Sequence, residues 1–157
     1  MAYEFKMRRV VEFSDTDSAG IVHFATFFRY MEAAEHAFFR SVGLSIYTTD
    51  NGRTITFPRV HADADYHAPL RFEDTAEIHV LVREMRSKTI VFDFFIYRVD
   101  GEGVKFCACG CIITACVTKD GGVMKSAPIP QHVRDKIQPA PAEMIQRHRT
   151  LAGITRA

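Results

Sequence analysis

The stretch Phe24-Ala25-Thr26-Phe27-Phe28-Arg29-Tyr30-Met31-Glu32-Ala33-Ala34-Glu35-His36-Ala37-Phe38-Phe39-Arg40-Ser41-Val42 repeats its apolar residues every three, four or seven positions, at Phe24, Phe27, Phe28, Met31, Ala34, Phe38 and Val42. That is the period of an amphipathic helix. Arg29, Glu32, His36 and Arg40 fall on the opposite face. Gly43 follows directly and is the residue type that ends helices in the left-handed conformation, so the spacing predicts one helix over 24–42, about five turns at 3.6 residues per turn.

On either side the period changes to two. Tyr3 to Glu12 mixes charged and β-branched residues before the turn-forming run Ser14-Asp15-Thr16-Asp17-Ser18-Ala19-Gly20, a strand entering a loop. After Asn51-Gly52, residues 55–67 read as a strand interrupted near Pro58. Ala76, Ile78, Val80 and Val82, and then Ile90, Phe92, Phe94 and Ile96, alternate as two half-buried strands. Asp100-Gly101 and Gly103 make a hairpin, and Val104 to Thr118 is apolar on both faces before the turn Lys119-Asp120-Gly121-Gly122. The order of one strand, one long helix and four strands on short turns predicts an α+β domain, an antiparallel sheet that must bury its apolar face against that helix. Pro128, Pro130, Pro139 and Pro141 punctuate a tail with room for short helices near 131–137 and 142–151.

The 157-residue chain is the size of a single domain, with 47% hydrophobic and 25% charged residues. Twenty basic against nineteen acidic side chains leave a net charge of +1. No global field steers it onto nucleic acid or an anionic membrane. The longest stretch without a charged residue, Phe106 to Thr118, falls short of the roughly 18 residues a spanning helix needs. Glu4, Lys6, Arg8 and Arg9 interrupt the segment where a signal peptide would be apolar, and the expectation is a cytoplasmic protein.

Two carboxylates and a glycine lie between the first strand and the long helix, in Asp15-Thr16-Asp17-Ser18-Ala19-Gly20-Ile21-Val22-His23-Phe24. Turn and capping chemistry accounts for such clusters. Electrostatics gives them a second reading. A carboxylate near the positive end of a helix stays ionised, and the unpaired amides there can polarise a carbonyl oxygen, a pairing suited to acyl transfer. A thioester makes the smallest demand, because a thiol leaves with little help from an acid. No G-x-S-x-G is present to suggest a serine nucleophile.

In this segment the sequence resembles the 4-hydroxybenzoyl-CoA thioesterase branch of the hotdog-fold acyl-CoA thioesterases, which includes the YbgC-like enzymes. The family pattern Asp-x-Asp-x-x-Gly-[Ile/Val]-Val is reproduced from Asp15 to Val22, and Tyr66-His67-Ala68-Pro69-Leu70, Glu84-Met85-Arg86-Ser87-Lys88 and Ile129-Pro130 fit weaker patterns. The likeness covers residues 3–138, with 139–157 as a C-terminal tail outside it. It implies a five-stranded antiparallel sheet wrapped around one long helix. It also implies a homodimer or homotetramer with active sites at the subunit interface, and hydrolysis of a coenzyme A thioester without metal or organic cofactor. By the resemblance, Asp17 is the catalytic nucleophile or base, the Phe24 backbone amide holds the thioester oxygen, and Gly20 shapes the turn between them. Arg86 and Lys88 map onto residues that contact coenzyme A phosphates, with Ser87 where a relative has a further Arg. His23 is expected near the substrate, yet it is displaced by one position from the imidazole of many YbgC-like members, so that role does not transfer. A carrier-protein thioesterase on the same fold, or a non-catalytic acyl-CoA-binding module, are the other functions this pattern allows.

Glu35 falls inside the apolar stripe between Met31 and Phe38. A buried carboxylate needs a partner or an interface. A second hotdog class carries its catalytic carboxylate on the central helix, which makes Glu35 the alternative candidate. Cys107, Cys109 and Cys111 alternate on a predicted strand, with Cys116 beyond. Side chains roughly 6.5 to 7 Å apart on one face are too distant for one tetrahedral zinc, so these are read as small apolar packing residues.

Overall fold

Why the long stripe needs a partner surface is clear from the computed structural model, which describes residues 1–154. A central helix α1 (Thr26–Ser41) follows strand β1 (Glu4–Val10), and the chain continues through β2 (Tyr47–Asp50), β3 (Arg53–Thr56), β4 (Arg59–Tyr66), β5 (Thr75–Met85), β6 (Thr89–Asp100), β7 (Gly103–Ala115), β8 (Val117–Asp120) and β9 (Val123–Ser126). Helices α2 (Gln131–Arg134) and α3 (Ala142–Leu151) close it. Five strands form one antiparallel sheet in the order β1-β5-β6-β7-β4. Phe27, Tyr30, Met31, Ala34 and Phe38 of α1 pack with Ile78, Val80, Val82, Phe92, Phe94 and Ile96 of that sheet in one buried cluster. This is the hotdog arrangement.

The helix begins two residues later than the stripe predicts. Phe24 and Ala25 form a turn, in which the Thr26 N–H donates to His23 O at 2.9 Å and the Phe28 N–H to Ala25 O at 3.2 Å. At the other end Gly43 has φ +69°. The Gly43 N–H reaches Arg40 O at 3.0 Å and the Leu44 N–H reaches Phe39 O at 2.9 Å, a pair of bonds that satisfies the last carbonyls of the helix.

A second, four-stranded sheet in the order β2-β3-β8-β9 was not expected. The predicted strand over 55–67 breaks at Phe57-Pro58 into β3 and β4, and the one over 104–118 breaks at Cys116 into β7 and β8. The Ala115 N–H donates to Pro58 O at 2.9 Å, so both chains turn from the large sheet into the small one side by side. The small sheet contributes Ile55, and the linker contributes Phe57, which meets Phe39 with ring centroids 5.6 Å apart. With the Phe92 ring centroid also 6.3 Å away, Phe39, a position the helical stripe left outside, is fully buried.

β6 is buried on both faces rather than one. Its second face carries Asp93 and Phe95, and α3 covers it: Leu81, Phe95, Cys109 and Ala152 form a separate cluster with Met144 and Ile145 against them. The tail expected over 139–157 is therefore helical across 142–151 and packed on the sheet, and its residues 155–157 lie outside the described residues. The three alternating cysteines do not share a face. Ile96 pairs with Ala108 and Tyr97 with Phe106, leaving Cys107 as the extra residue of a bulge. A bulge reverses the alternation, so Cys107 joins the α1 side and Cys109 the α3 side.

At Gly110 of β7 a side chain has no room: a Cβ there would lie 2.5 Å from Asp63 O and 2.6 Å from Met31 Sδ. Among the described residues no helix is long and apolar enough to cross a membrane, and no group of three His, Cys, Asp or Glu could hold a metal ion.

Candidate active site

The segment between β1 and α1 is held by its first carboxylate. Asp15 Oδ2 accepts the Glu12 N–H at 2.9 Å and the Tyr30 hydroxyl at 2.8 Å, with Arg9 Nη2 at 3.7 Å. The Arg9 guanidinium lies over the Tyr30 ring, 4.4 Å from its centroid. Burial and the adjoining Asp15 carboxylate push the Tyr30 phenol well above its ordinary range, keeping it a donor. The Asp15 carbonyl then takes the His23 N–H at 2.9 Å. Asp15 thus anchors both ends of the loop.

Asp17 sits at the turn of the same loop. Its backbone N–H donates to Ile21 O at 2.9 Å, and the Gly20 N–H returns to Asp17 O at 3.0 Å. Gly20 has φ +74°, which an L side chain adopts at a cost. Asp17 Oδ1 accepts the Ala19 N–H at 2.8 Å, and among the described residues Oδ2 has no hydrogen-bond partner.

Asp17 lines a cleft of about 550 Å³ together with Ile21, Val22, Phe24, Phe27 and the segment Tyr66 to Pro69, and Arg71 adds one cationic side chain. The cleft therefore brings together Asp17 and Phe24, 24 being the residue just before the helix. No side chain caps α1, and among the described residues the Phe24 N–H has no acceptor. Its peptide is polarised from the other side, because the His23 carbonyl accepts the Thr26 N–H. His23 is exposed and does not line the cleft. Its Nδ1 accepts the Ala25 N–H at 3.2 Å, a bond that requires Nδ1 unprotonated and the ring proton on Nε2.

The structure does not bring the other expected residues to this cleft. Arg86 and Lys88 are on the β5–β6 turn, where Arg86 makes a bidentate pair with Glu84 at 2.8 and 2.9 Å and Lys88 reaches Ser126 at 3.2 Å. That turn adjoins Ala115 and Cys116, whereas Tyr66 ends β4 beside Ala108. The whole length of β4 separates them within one chain, roughly 25 Å at the rise of an extended strand. Glu35 is likewise absent from the cleft lining. It is fully buried and paired with Arg59 Nη2 at 2.9 Å, which also contacts His36 at 2.9 Å. Burial pushes the Glu35 carboxyl up to about 7 against the pull of Arg59.

Tyr66 and Arg71 were not singled out from the sequence as site residues. Tyr66 belongs to the Tyr-His-Ala-Pro-Leu pattern, but nothing in its spacing said which way its ring would turn. Its hydroxyl donates to Phe24 O at 2.9 Å and its ring meets Phe27 edge-on, centroids 5.1 Å apart.

A sheet wrapped on one helix, with Asp17 and Phe24 lining one cleft at the start of that helix, is the architecture of the hotdog-fold thioesterases. Residues 11–137 match the Thioesterase-like superfamily, and the chain belongs to it. It is 30% identical over 97 residues to a 1,4-dihydroxy-2-naphthoyl-CoA hydrolase of Gloeothece citriformis, covering 62% of this chain and 68% of that protein. It is similar in structure to the 1,4-dihydroxy-2-naphthoyl-CoA thioesterase from Synechocystis, with TM-score 0.73 and 25% identity, covering 85% of this chain and 94% of that one. The 4-hydroxybenzoyl CoA thioesterase from Pseudomonas sp. strain CBS-3 shares the fold at TM-score 0.75 and 23% identity, covering 85% and 99%.

Proposed function

We propose that the protein hydrolyses the thioester of an aromatic acyl-coenzyme A, releasing the carboxylic acid and free coenzyme A. The observation that carries this reading is that Asp17 and Phe24 line one cleft while the Phe24 N–H has no acceptor among the described residues. The thioester oxygen accepts from the Phe24 N–H, whose polarised peptide stabilises the charge that develops there. Asp17 attacks the acyl carbon to give an anhydride that water opens, or removes a proton from the attacking water. Either way a C–O bond forms, the C–S bond breaks, and the thiolate leaves and takes a proton from solvent.

The aromatic acyl class is supported by the cleft walls, Phe24, Phe27, Tyr66 and Pro69, and by the substrates in the names of the relatives. Arg86 and Lys88 could serve the coenzyme A phosphates of a cleft on a second copy of the chain, so the proposal includes a homo-oligomer. A thiol-release assay over aromatic and aliphatic coenzyme A thioesters tests the reading. Turnover is expected with aromatic esters, and Asp17→Asn is expected to lower it by at least about 100-fold while the protein stays folded. Near-wild-type turnover in that variant refutes the role of Asp17. Activity confined to carrier-protein thioesters, or binding without turnover, refutes the coenzyme A hydrolase.

A further inference from the structure

The Phe24 carbonyl stands outside the helical ladder. In a regular α-helix it would accept the N–H four residues on, that of Phe28, but Phe28 donates to Ala25 O. Its partner is instead the Tyr66 hydroxyl, reaching from the end of edge strand β4. Tyr66 is 46% exposed, so its phenol could be satisfied by water, and nothing in the packing of the core demands this bond. The ring leans on Phe27, which fixes the direction from which the hydroxyl approaches. On the peptide that carries the Phe24 N–H, the His23 carbonyl is taken by Thr26, and one peptide earlier the His23 N–H is taken by Asp15 O. Both peptide planes that flank the Phe24 Cα are thereby pinned, one by Thr26 of α1 and the other by Tyr66 of β4.

We infer that Tyr66 is a positioning residue for the reaction, its hydroxyl holding the Phe24–Ala25 peptide out of the helical ladder and so preserving, before substrate arrives, the turn in which the adjoining His23–Phe24 peptide presents its N–H. This rests on the reading of Phe24 as the group that takes the thioester oxygen. Without the hydroxyl, the Phe24 carbonyl can turn back toward the Phe28 N–H and draw the first turn into the helix, which exchanges the Thr26–His23 turn bond for the helical pattern and changes the direction of the Phe24 N–H. A preorganised donor is worth most in the transition state, where the oxygen carries charge. The loss should therefore fall on kcat, with little change in KM.

Tyr66→Phe removes the hydroxyl and keeps the ring on Phe27. With an aromatic acyl-coenzyme A that the wild type turns over, kcat is expected to fall about 10-fold, a fraction of the loss for deleting a donor outright, with KM within twofold and Tm unchanged. The Ala25 amide nitrogen belongs to the peptide whose oxygen loses the bond, and its ¹⁵N resonance is expected to move upfield. An unchanged kcat, or a raised KM with kcat intact, overturns the inference while leaving the role of Asp17 standing. A wild-type chain that releases no thiol from any ester overturns the reading of the cleft and this inference with it.

Discussion

Tyr30 of α1 and Asp15 of the preceding loop are joined by a 2.8 Å hydrogen bond from phenol to carboxylate. The bond ties the buried face of the helix to the segment that carries Asp17. Hydrogen bonds to charged groups contribute about 1.5–3 kcal/mol each. Tyr30→Phe is expected to lower unfolding stability by about 2 kcal/mol and to reduce turnover as the loop loosens. Denaturant titration and the thiol-release assay check the two effects, and an unchanged stability would contradict the anchoring role.

Gly110 allows the close approach of α1 and β4 to β7. Gly110→Ala places a methyl against Asp63 O, a backbone atom, and against Met31 Sδ. The methionine can turn aside and the backbone cannot. Overpacking of this kind costs about 1–3 kcal/mol, and thermal unfolding of the variant should show a matching drop in Tm. Equal stability would mean that the strands can part without cost.

Glu35 should make stability depend on pH. Its folded carboxyl is pushed up to about 7 from an ordinary 4.5 by burial, so the folded state holds this proton more tightly than the unfolded one. The favourable contribution is complete below 4.5 and is lost as pH rises through about 7, roughly 3 kcal/mol in all by linkage. Glu35→Gln keeps an acceptor for Arg59 without the charge. Between pH 5 and 8 its unfolding free energy should fall less than that of the wild type, and parallel curves would refute the assignment.

The docking of α3 should depend on pH in the opposite sense. His79 of β5 is buried, bonded to Glu4 at 2.8 Å and edge-on to His148 of α3, centroids 4.8 Å apart. Burial lowers both imidazoles below their ordinary 6.5, outweighing Glu4; Lys6 lowers both further, His79 and Arg147 also lower His148, and Glu77 pulls His79 the other way. A depressed imidazole means that the undocked state binds more protons. Docking is therefore complete above 6.5 and weakens as pH falls below it. Hydrogen exchange of the α3 amides, corrected for intrinsic rate, should be faster at pH 5.5 than at pH 7.5. His148→Gln should flatten that difference.

The parts of the fold that could be read in advance are those governed by a single periodicity. The α1 stripe and the alternation in β5 and β6 identified the helix and the sheet, because one face of each meets one surface. Tyr30 fits the same spacing, three residues after Phe27 and four before Ala34, but its hydroxyl obscured it as a core residue, whereas Phe39 lies beside the stripe and meets Phe57 and Phe92, which do not enter a helical wheel. β2 and β9 are short and largely exposed, so they have no apolar pattern to detect. The bulge at Cys107 inverts a face without any sequence mark, and the outer face of β6 is buried by a helix from the far end of the chain. In the cleft, the Asp15–Phe24 loop was legible as one local motif, whereas Tyr66 and Arg71 come from a different strand end. Arg86 and Lys88 were placed by pattern, and their remoteness from the cleft follows from strand length alone.

The two sources of the cleft have a consequence for how such a protein can change. The groups proposed to break the thioester bond lie in a single continuous run, Asp15 to Phe24, whose internal bonds are made largely within itself and to α1. Much of the opposite wall, Tyr66 to Arg71, is a separate run at the end of an edge strand. Apart from the Tyr66 hydroxyl and the Val22–Leu70 bond, the two can vary independently. On the proposed reading, acyl preference is thus open to redesign by recasting 67–69 and 71, with buried Leu70 kept and the bond-breaking apparatus inherited intact.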